Sequence, residues 1–273
     1  MKTILVLTNL LHKAENAALY AFKLAEKTEA NIVLYQSVNI PAYAVAAGDI
    51  DVDNDFAEIE KQSISQLTNL AHRLSKHHPF SDFKPTIEIL SSFGELATNV
   101  NQLVQSRNID LIVMGAKSDG DSAYLVFGET NAVLTGVKCP VLFVPYTASF
   151  GGLKTIVFSS DLKKAYPKAV SFLVDIARID NTKIIITHIG IEEKFNHVQC
   201  LNLFQNIFEY DNVTFRELPS GNVGEQLERF ALAVNADLTV MIHHEHSLYG
   251  TPLTDNSTKM LEKNHLPLLV LAD

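Results

Sequence analysis

His243-His244-Glu245-His246 is the densest run of metal-ligating and proton-carrying side chains in the sequence. Imidazoles at i and i+3 with a carboxylate between them could hold a transition metal. The run is contiguous, however, and successive residues of extended chain point to opposite sides. It also lacks the H-E-x-x-H spacing that puts two imidazoles on one helical face. A polar loop is the favoured reading, and no metal site is assigned. The acids from Asp49 to Glu60 lack the glycine and the spaced ligands of a calcium loop. They read as a solvated loop and helix start, or as a lid over a site behind the second strand. Two cysteines occur, Cys139 and Cys200, and neither belongs to a C-x-x-C pair. Cys139 precedes Pro140 with no histidine or asparagine frame around it, so it reads as a small core hydrophobe. Cys200 shares a helix face with Leu203, Phe204 and Phe208 and reads the same way. His188, at a strand end, is expected to hydrogen-bond a neighbouring loop. No phosphate-binding P-loop, no G-x-G-x-x-G and no G-x-S-x-G elbow is present, and no residue is assigned as catalytic.

The elements that would position a site come twice. Lys2-Thr3-Ile4-Leu5-Val6-Leu7-Thr8-Asn9-Leu10 returns as Lys154-Thr155-Ile156-Val157-Phe158-Ser159-Ser160-Asp161-Leu162. Asp110-Leu111-Ile112-Val113-Met114 returns as Asp237-Leu238-Thr239-Val240-Met241, and Cys139 to Val144 returns as Leu266 to Leu271. A repeat this long is a duplicated domain and not a solenoid unit. The apolar and helical periodicities predict strands at 3–7, 31–38, 86–90, 111–114 and 141–144, with helices at 15–27, 56–78, 95–107 and 129–136. The second half predicts strands at 154–159, 183–189, 213–218, 238–242 and 268–271, with helices at 164–178, 192–208, 222–234 and 255–263. The second-strand echoes Val38 and Ile189 lie 151 residues apart and the fourth-strand echoes 127 apart, so the second half is shorter by 24 residues. Domains are expected at 1–147 and 153–273, joined through 147–152 with its Gly151-Gly152.

Alternating strands and helices imply parallel sheets covered on both faces, with right-handed crossovers. Ligands in such sheets sit beyond the carboxyl ends of the strands, where strand order reverses. That directs attention to Asn9, Val38 and Gly115, and to their echoes Asp161, Ile189 and Ile242. The chain has 273 residues, nearly half of them hydrophobic, which suits two domains with real cores. A formal net charge of −9 without clustered Lys and Arg argues against nucleic acid as a partner. No run approaches the length of a membrane span, the first residues read as a strand and helix and not a signal peptide, and two free thiols suit a reducing cytoplasm.

On these residues the chain resembles the universal stress protein family in its tandem form. The carriers are the openings ILVLTN and IVFSSD, and DLIVMG followed by a loop and CPVLFVP. The resemblance implies two doubly wound α/β domains of the adenine nucleotide alpha-hydrolase-like type, each with five parallel strands. It also implies an internal pseudo-dimer in which Val141–Val144 and Leu268–Leu271 pair antiparallel, and a homodimer of such chains. ATP-binding members carry Gly, two residues, Gly, nine residues, Gly, then Ser or Thr. Here Gly115, Ser118 and Gly128 hold those positions, followed by Glu129 and Thr130. The family's adenine-contacting Asp corresponds to Asn9, and its ribose-side residue to Val38. Ser118 narrows the passage that Gly leaves for a phosphate. Glu129 in a first helical turn competes for the N–H groups that would bind phosphate. Asp119 and Asp121 add negative charge, which Mg²⁺ would bridge if ATP binds. In the second half Ile242, Glu245 and Asp255 replace all three glycines.

The function implied is a cytoplasmic stress-response protein with a small-ligand site, for an adenine nucleotide, in the first half, acting by regulation and not turnover. The alternative is an interaction module with vestigial sites, working through protein partners or an apolar ligand. A slow ATPase ranks last, since nothing in the sequence positions a water or a general base.

Overall fold

A computed structural model describes residues 1–10, 12–39, 52–77, 82–116, 132–159, 167–190, 197–243 and 265–272. These fall into two compact units, one running to Gly115 with 132–139, the other holding Ala116 and everything from Pro140 onward.

In the first unit, β1 (Thr3–Leu7), β2 (Asn31–Val38), β3 (Ile87–Phe93) and β4 (Leu111–Gly115) lie in the order β3-β2-β1-β4, all parallel. Ile4, Leu5 and Val6 of β1 are completely buried, as a strand covered on both faces must be. The connections are α1 (His12–Thr28), α2 (Val52–Lys76) and α3 (Leu96–Arg107). α2 starts earlier than the apolar periodicity predicts, so 52–55 are helix and not loop. Asp55, exposed near this helix start, suits it because the dipole there favours a carboxylate. Farther along, Leu67, Leu70 and Leu74 are at most 1% exposed, each burial contributing roughly 1.5–3 kcal/mol. β3 continues past the predicted end through Ser91-Ser92-Phe93, where the two serines hid it from a hydropathy reading.

The second unit contains β5 (Val141–Val144), β6 (Thr155–Ser159), β7 (Lys183–Ile189), β8 (Val213–Leu218), β9 (Leu238–His243) and β10 (Leu268–Ala272), in the order β5-β10-β9-β6-β7-β8. Five are parallel. β5 runs antiparallel to β10, with Leu268 opposite Phe143 and Val270 opposite Val141, so the expected antiparallel pairing of those two segments is present. Its helices are α4 (Pro167–Ile179), α5 (His197–Asn202), which passes into a π-helical turn at Leu203–Ile207, and α6 (Val223–Ala233). Phe204, in that turn, is fully buried against Phe158 with centroids 6.2 Å apart. Asn222 caps α6 by accepting from the Glu225 N–H at 3.1 Å. The helix predicted at 255–263 lies outside the described residues.

Three devices at the amino-terminal edges of the strands repeat with the duplication. Asp110 Oδ2 accepts the N–H groups of Lys2 and Thr3 at 2.6 and 3.0 Å; Asp237 Oδ2 accepts those of Lys154 and Thr155 at 2.7 and 2.9 Å. Asn108 and Asn235 end the preceding helices in the left-handed region, φ 49° and 50°, where Asn is among the few tolerated side chains. Likewise the N–H groups of Ala30 and Thr182 return to the Ala25 and Ala177 carbonyls, at 3.0 and 2.8 Å, closing α1 and α4 alike. Replacing Asp110 or Asp237 with Ala is expected to cost about 1–3 kcal/mol each, because two N–H groups lose their acceptor. Asn, which keeps one acceptor oxygen, is expected to cost less. Urea denaturation of the four variants checks both statements.

Candidate functional site

β1 lies between β2 and β4, with Leu7 opposite both Tyr35 and Met114. The chain leaves β1 in a tight turn. Thr8, 7% exposed, donates its N–H to the Tyr35 carbonyl at 3.0 Å, and its Oγ1 accepts the Leu10 N–H at 3.0 Å. Leu10 has φ 61°, an uncommon conformation for a branched side chain. Asn9 stands exposed at the corner of this turn. Gly115 ends β4 one residue beyond Met114. Asn9 and Gly115 therefore emerge from adjacent strands at the same edge of the sheet.

β2 and β3 rise beyond that edge through three more rungs: Gln36–Ser91, Ser37–Ser92 and Val38–Phe93. Alternation along the strands gives the wall two faces. Toward α3, Tyr35 Oη and Ser92 Oγ lie 2.6 Å apart. Ser37 Oγ donates to the Gly94 carbonyl at 2.9 Å and accepts from Asn99 Nδ2 at 3.0 Å, while Asn99 Nδ2 also reaches the Phe93 carbonyl at 3.2 Å. Gly94 makes this turn at φ 121°, a conformation that L side chains rarely adopt. Toward α2, Ser63 Oγ donates to Gln36 Oε1 at 2.7 Å and meets Ser91 Oγ at 2.7 Å. Phe56 packs on Phe93 with ring centroids 4.5 Å apart, beside the half-buried Val38.

Of the residues singled out by sequence, Asn9, Val38 and Gly115 come together at the carboxyl edge of the first unit. Ser118, Gly128, Glu129 and Thr130 lie outside the described residues, as do Asp161, His244, Glu245 and His246. In the second unit β6 again lies between two parallel strands, with Ser159 opposite Thr187 and Met241. His188, 7% exposed, stands one residue farther along β7, and Ile189 and Ile242 are half-buried at the same edge. Among the described residues no group of three or more His, Cys, Asp or Glu is placed to hold a metal ion. No helix among them is long and apolar enough to cross a membrane. Phe56, Phe93, Ser63 and Ser91 escaped the sequence reading. A period-2 pattern carried on to Phe93 would have found the end of β3.

The model of the universal stress protein family matches residues 1–145. Among solved structures, the chain is similar to a universal stress protein from Archaeoglobus fulgidus DSM 4304, at 15% identity over 99% of this chain and 96% of that one, with a TM-score of 0.75. A protein of unknown function from Pseudomonas aeruginosa PAO1 matches at 14% identity over 100% of this chain and 92% of that one, with a TM-score of 0.58. A universal stress protein solved in complex with cAMP matches at 17% identity over 52% of this chain and 96% of that one, with a TM-score of 0.40. At these identities the first two likenesses establish the fold alone. No curated protein matches the chain.

Cys139 is removed from the candidate nucleophiles by its surroundings. It is 3% exposed, and its Sγ lies 3.5 Å from the Ile109 carbonyl. Burial, with the nearby Asp110 charge adding to it, pushes the thiol up to about 12, against a smaller opposing effect from the backbone hydrogen bond at Ile112. A thiol that ionises at about 12 is thiolate on the order of once in ten thousand at pH 8. With Cys200→Ser, Cys139 becomes the lone thiol. We expect it to resist a thiol-reactive disulfide reagent in the native protein and to label fully in denaturant. The raised value has a sign for stability as well. The contribution is intact below the ordinary thiol value of about 8.5 and is lost as pH climbs toward the native one, so a Cys139→Ala variant should show a flatter alkaline stability profile.

Proposed function

Because the chain belongs to the universal stress protein family, we propose that its first unit holds an adenine nucleotide at the carboxyl edge of β1, β2 and β4 and that the protein acts through occupancy of that site, not turnover. The observation that carries this reading is the meeting of Asn9, Val38 and Gly115 at one edge, on strands locked in register by the Leu7–Tyr35 and Leu7–Met114 rungs. In a doubly wound sheet that edge is where ligands bind. Asn9 offers an amide that donates and accepts, suited to the edge of a base. Val38 offers an apolar surface, and Gly115 is followed in sequence by Ser118, Gly128, Glu129 and Thr130, the positions that the family pattern assigns to the phosphates. Regulation is supported by the character of the described polar groups: Thr8, Ser37 and Asn99 are hydroxyls and an amide engaged in hydrogen bonds, and Asn9 is an amide as well, none of them a proton-transfer group. Mg²⁺ enters with ATP, since the acids Asp119, Asp121 and Glu129 would otherwise repel the phosphates. The expected setting is a cytoplasmic stress response, and the expected assembly a homodimer.

Denaturing freshly purified protein and identifying what it releases by mass spectrometry is the first test, with calorimetric titration of Mg-ATP in parallel. Release of an adenine nucleotide, or micromolar binding, is expected; silence in both assays would sink the reading. Glu129→Ser is expected to tighten Mg-ATP binding about two- to fivefold, the equivalent of roughly 0.3–1 kcal/mol from relieving competition at a helix start. Unchanged affinity would count against the electrostatic argument.

A further inference from the structure

α2 is held to the first unit's sheet unevenly. Its second half inserts Leu67, Leu70 and Leu74 into the core. Among the described side chains of its first half, Phe56 and Ile59 are half-buried, while Ala57, Glu58, Glu60, Lys61 and Gln62 are exposed. Between the halves, where an apolar knob would continue the stripe, stands Ser63, 4% exposed and bonded to Gln36 and Ser91. One turn later Thr68 Oγ1 donates back to the Ile64 carbonyl at 2.7 Å, a bond of the kind that competes with the helix ladder. Within the first half, Glu58 reaches Gln62 at 3.2 Å and Lys61 at 3.9 Å, which ties those turns to one another more than to the sheet.

The position of this weakly held segment gives it a use. Phe56 rests on Phe93, the last residue of β3, directly opposite Val38. We propose that the first half of α2, residues 56–62, is a lid on the strand-edge site of the first unit, latched by the Phe56–Phe93 contact and pivoting at Ser63. The inference rests on the site reading given above. Opening the lid uncovers two half-buried side chains and leaves the leucine-anchored half in place. Hydroxyl and amide partners at the pivot exchange each other for water at little cost. A ligand seated against Val38 would in turn press on Phe93 and hold the latch shut.

Hydrogen exchange on the full chain, read by mass spectrometry, tests this. Amides of 58–62 are expected to exchange about tenfold or more faster than those of 68–74, at one shared rate, whereas simple fraying decays within the first turn. Phe93→Ala is expected to speed 58–62 severalfold and leave 68–74 unchanged, with Phe93→Leu restoring part of the protection. Mg-ATP is expected to slow 58–62 selectively. Equal protection along α2, or acceleration of the whole helix by Phe93→Ala, would overturn the lid. Calorimetric binding of Mg-ATP with no change in exchange at 58–62 would overturn it as a lid on this site. Absence of calorimetric binding would instead remove the nucleotide reading, and the exchange pattern with Phe93→Ala would still decide whether the segment opens as a unit.

Discussion

One carboxylate per unit sets the frame. Asp110 and Asp237 each draw the first two N–H groups of a central strand onto the start of the strand beside it. From that fixed beginning the rungs count upward, Ile4–Leu111 through Leu7–Met114 in the first unit and Ile156–Leu238 through Ser159–Met241 in the second. A slip of one residue would turn every buried side chain of the strand toward the wrong face. It would also separate Asn9 from Gly115. The edge where a ligand would sit is thus determined at the opposite edge, by a pair of hydrogen bonds that touch no ligand.

The duplication separates what the fold requires from what it leaves free. At the amino-terminal edges the two units agree closely: the same carboxylate, the same asparagine after the helix, the same backbone closure behind the first helix. At the carboxyl edges they differ. In the first unit the wall beyond β1 carries Ser37, Ser91 and Ser92 and is crossed by the 25-residue α2. In the second, His188 stands where Ser37 would be, and the covering helix is the short α5 with its π turn. Strand register tolerates little change, whereas side chains beyond the last rung are constrained only by what they meet. Divergence accumulates where the chain is free to recognise something.

The buried apolar runs were legible because a parallel strand covered on both faces has almost no choice of residue: ILVL, IVLY, LIVM and VLFV announce themselves. The helix predicted at 222–234 likewise matches α6, Val223–Ala233. β3 was truncated in the reading because Ser91 and Ser92 look like loop. They are strand because Ser63 and Tyr35 supply their hydrogen bonds from other elements. The start of α2 was missed because Asp53 and Asp55 suit a loop as well as a helix start.

The sequence by itself determined two α/β units with a shared order of elements, and it singled out Asn9, Val38 and Gly115 as strand-end positions. Hydropathy periodicity and the repeat carry that much, since both are properties of consecutive residues. Tertiary structure alone decided which strand ends lie side by side, how far β2 and β3 rise above β1, and that Phe56 reaches Phe93 across 37 positions of chain. Those are contacts between residues remote in sequence. Their geometry follows from register and packing, which no local pattern encodes.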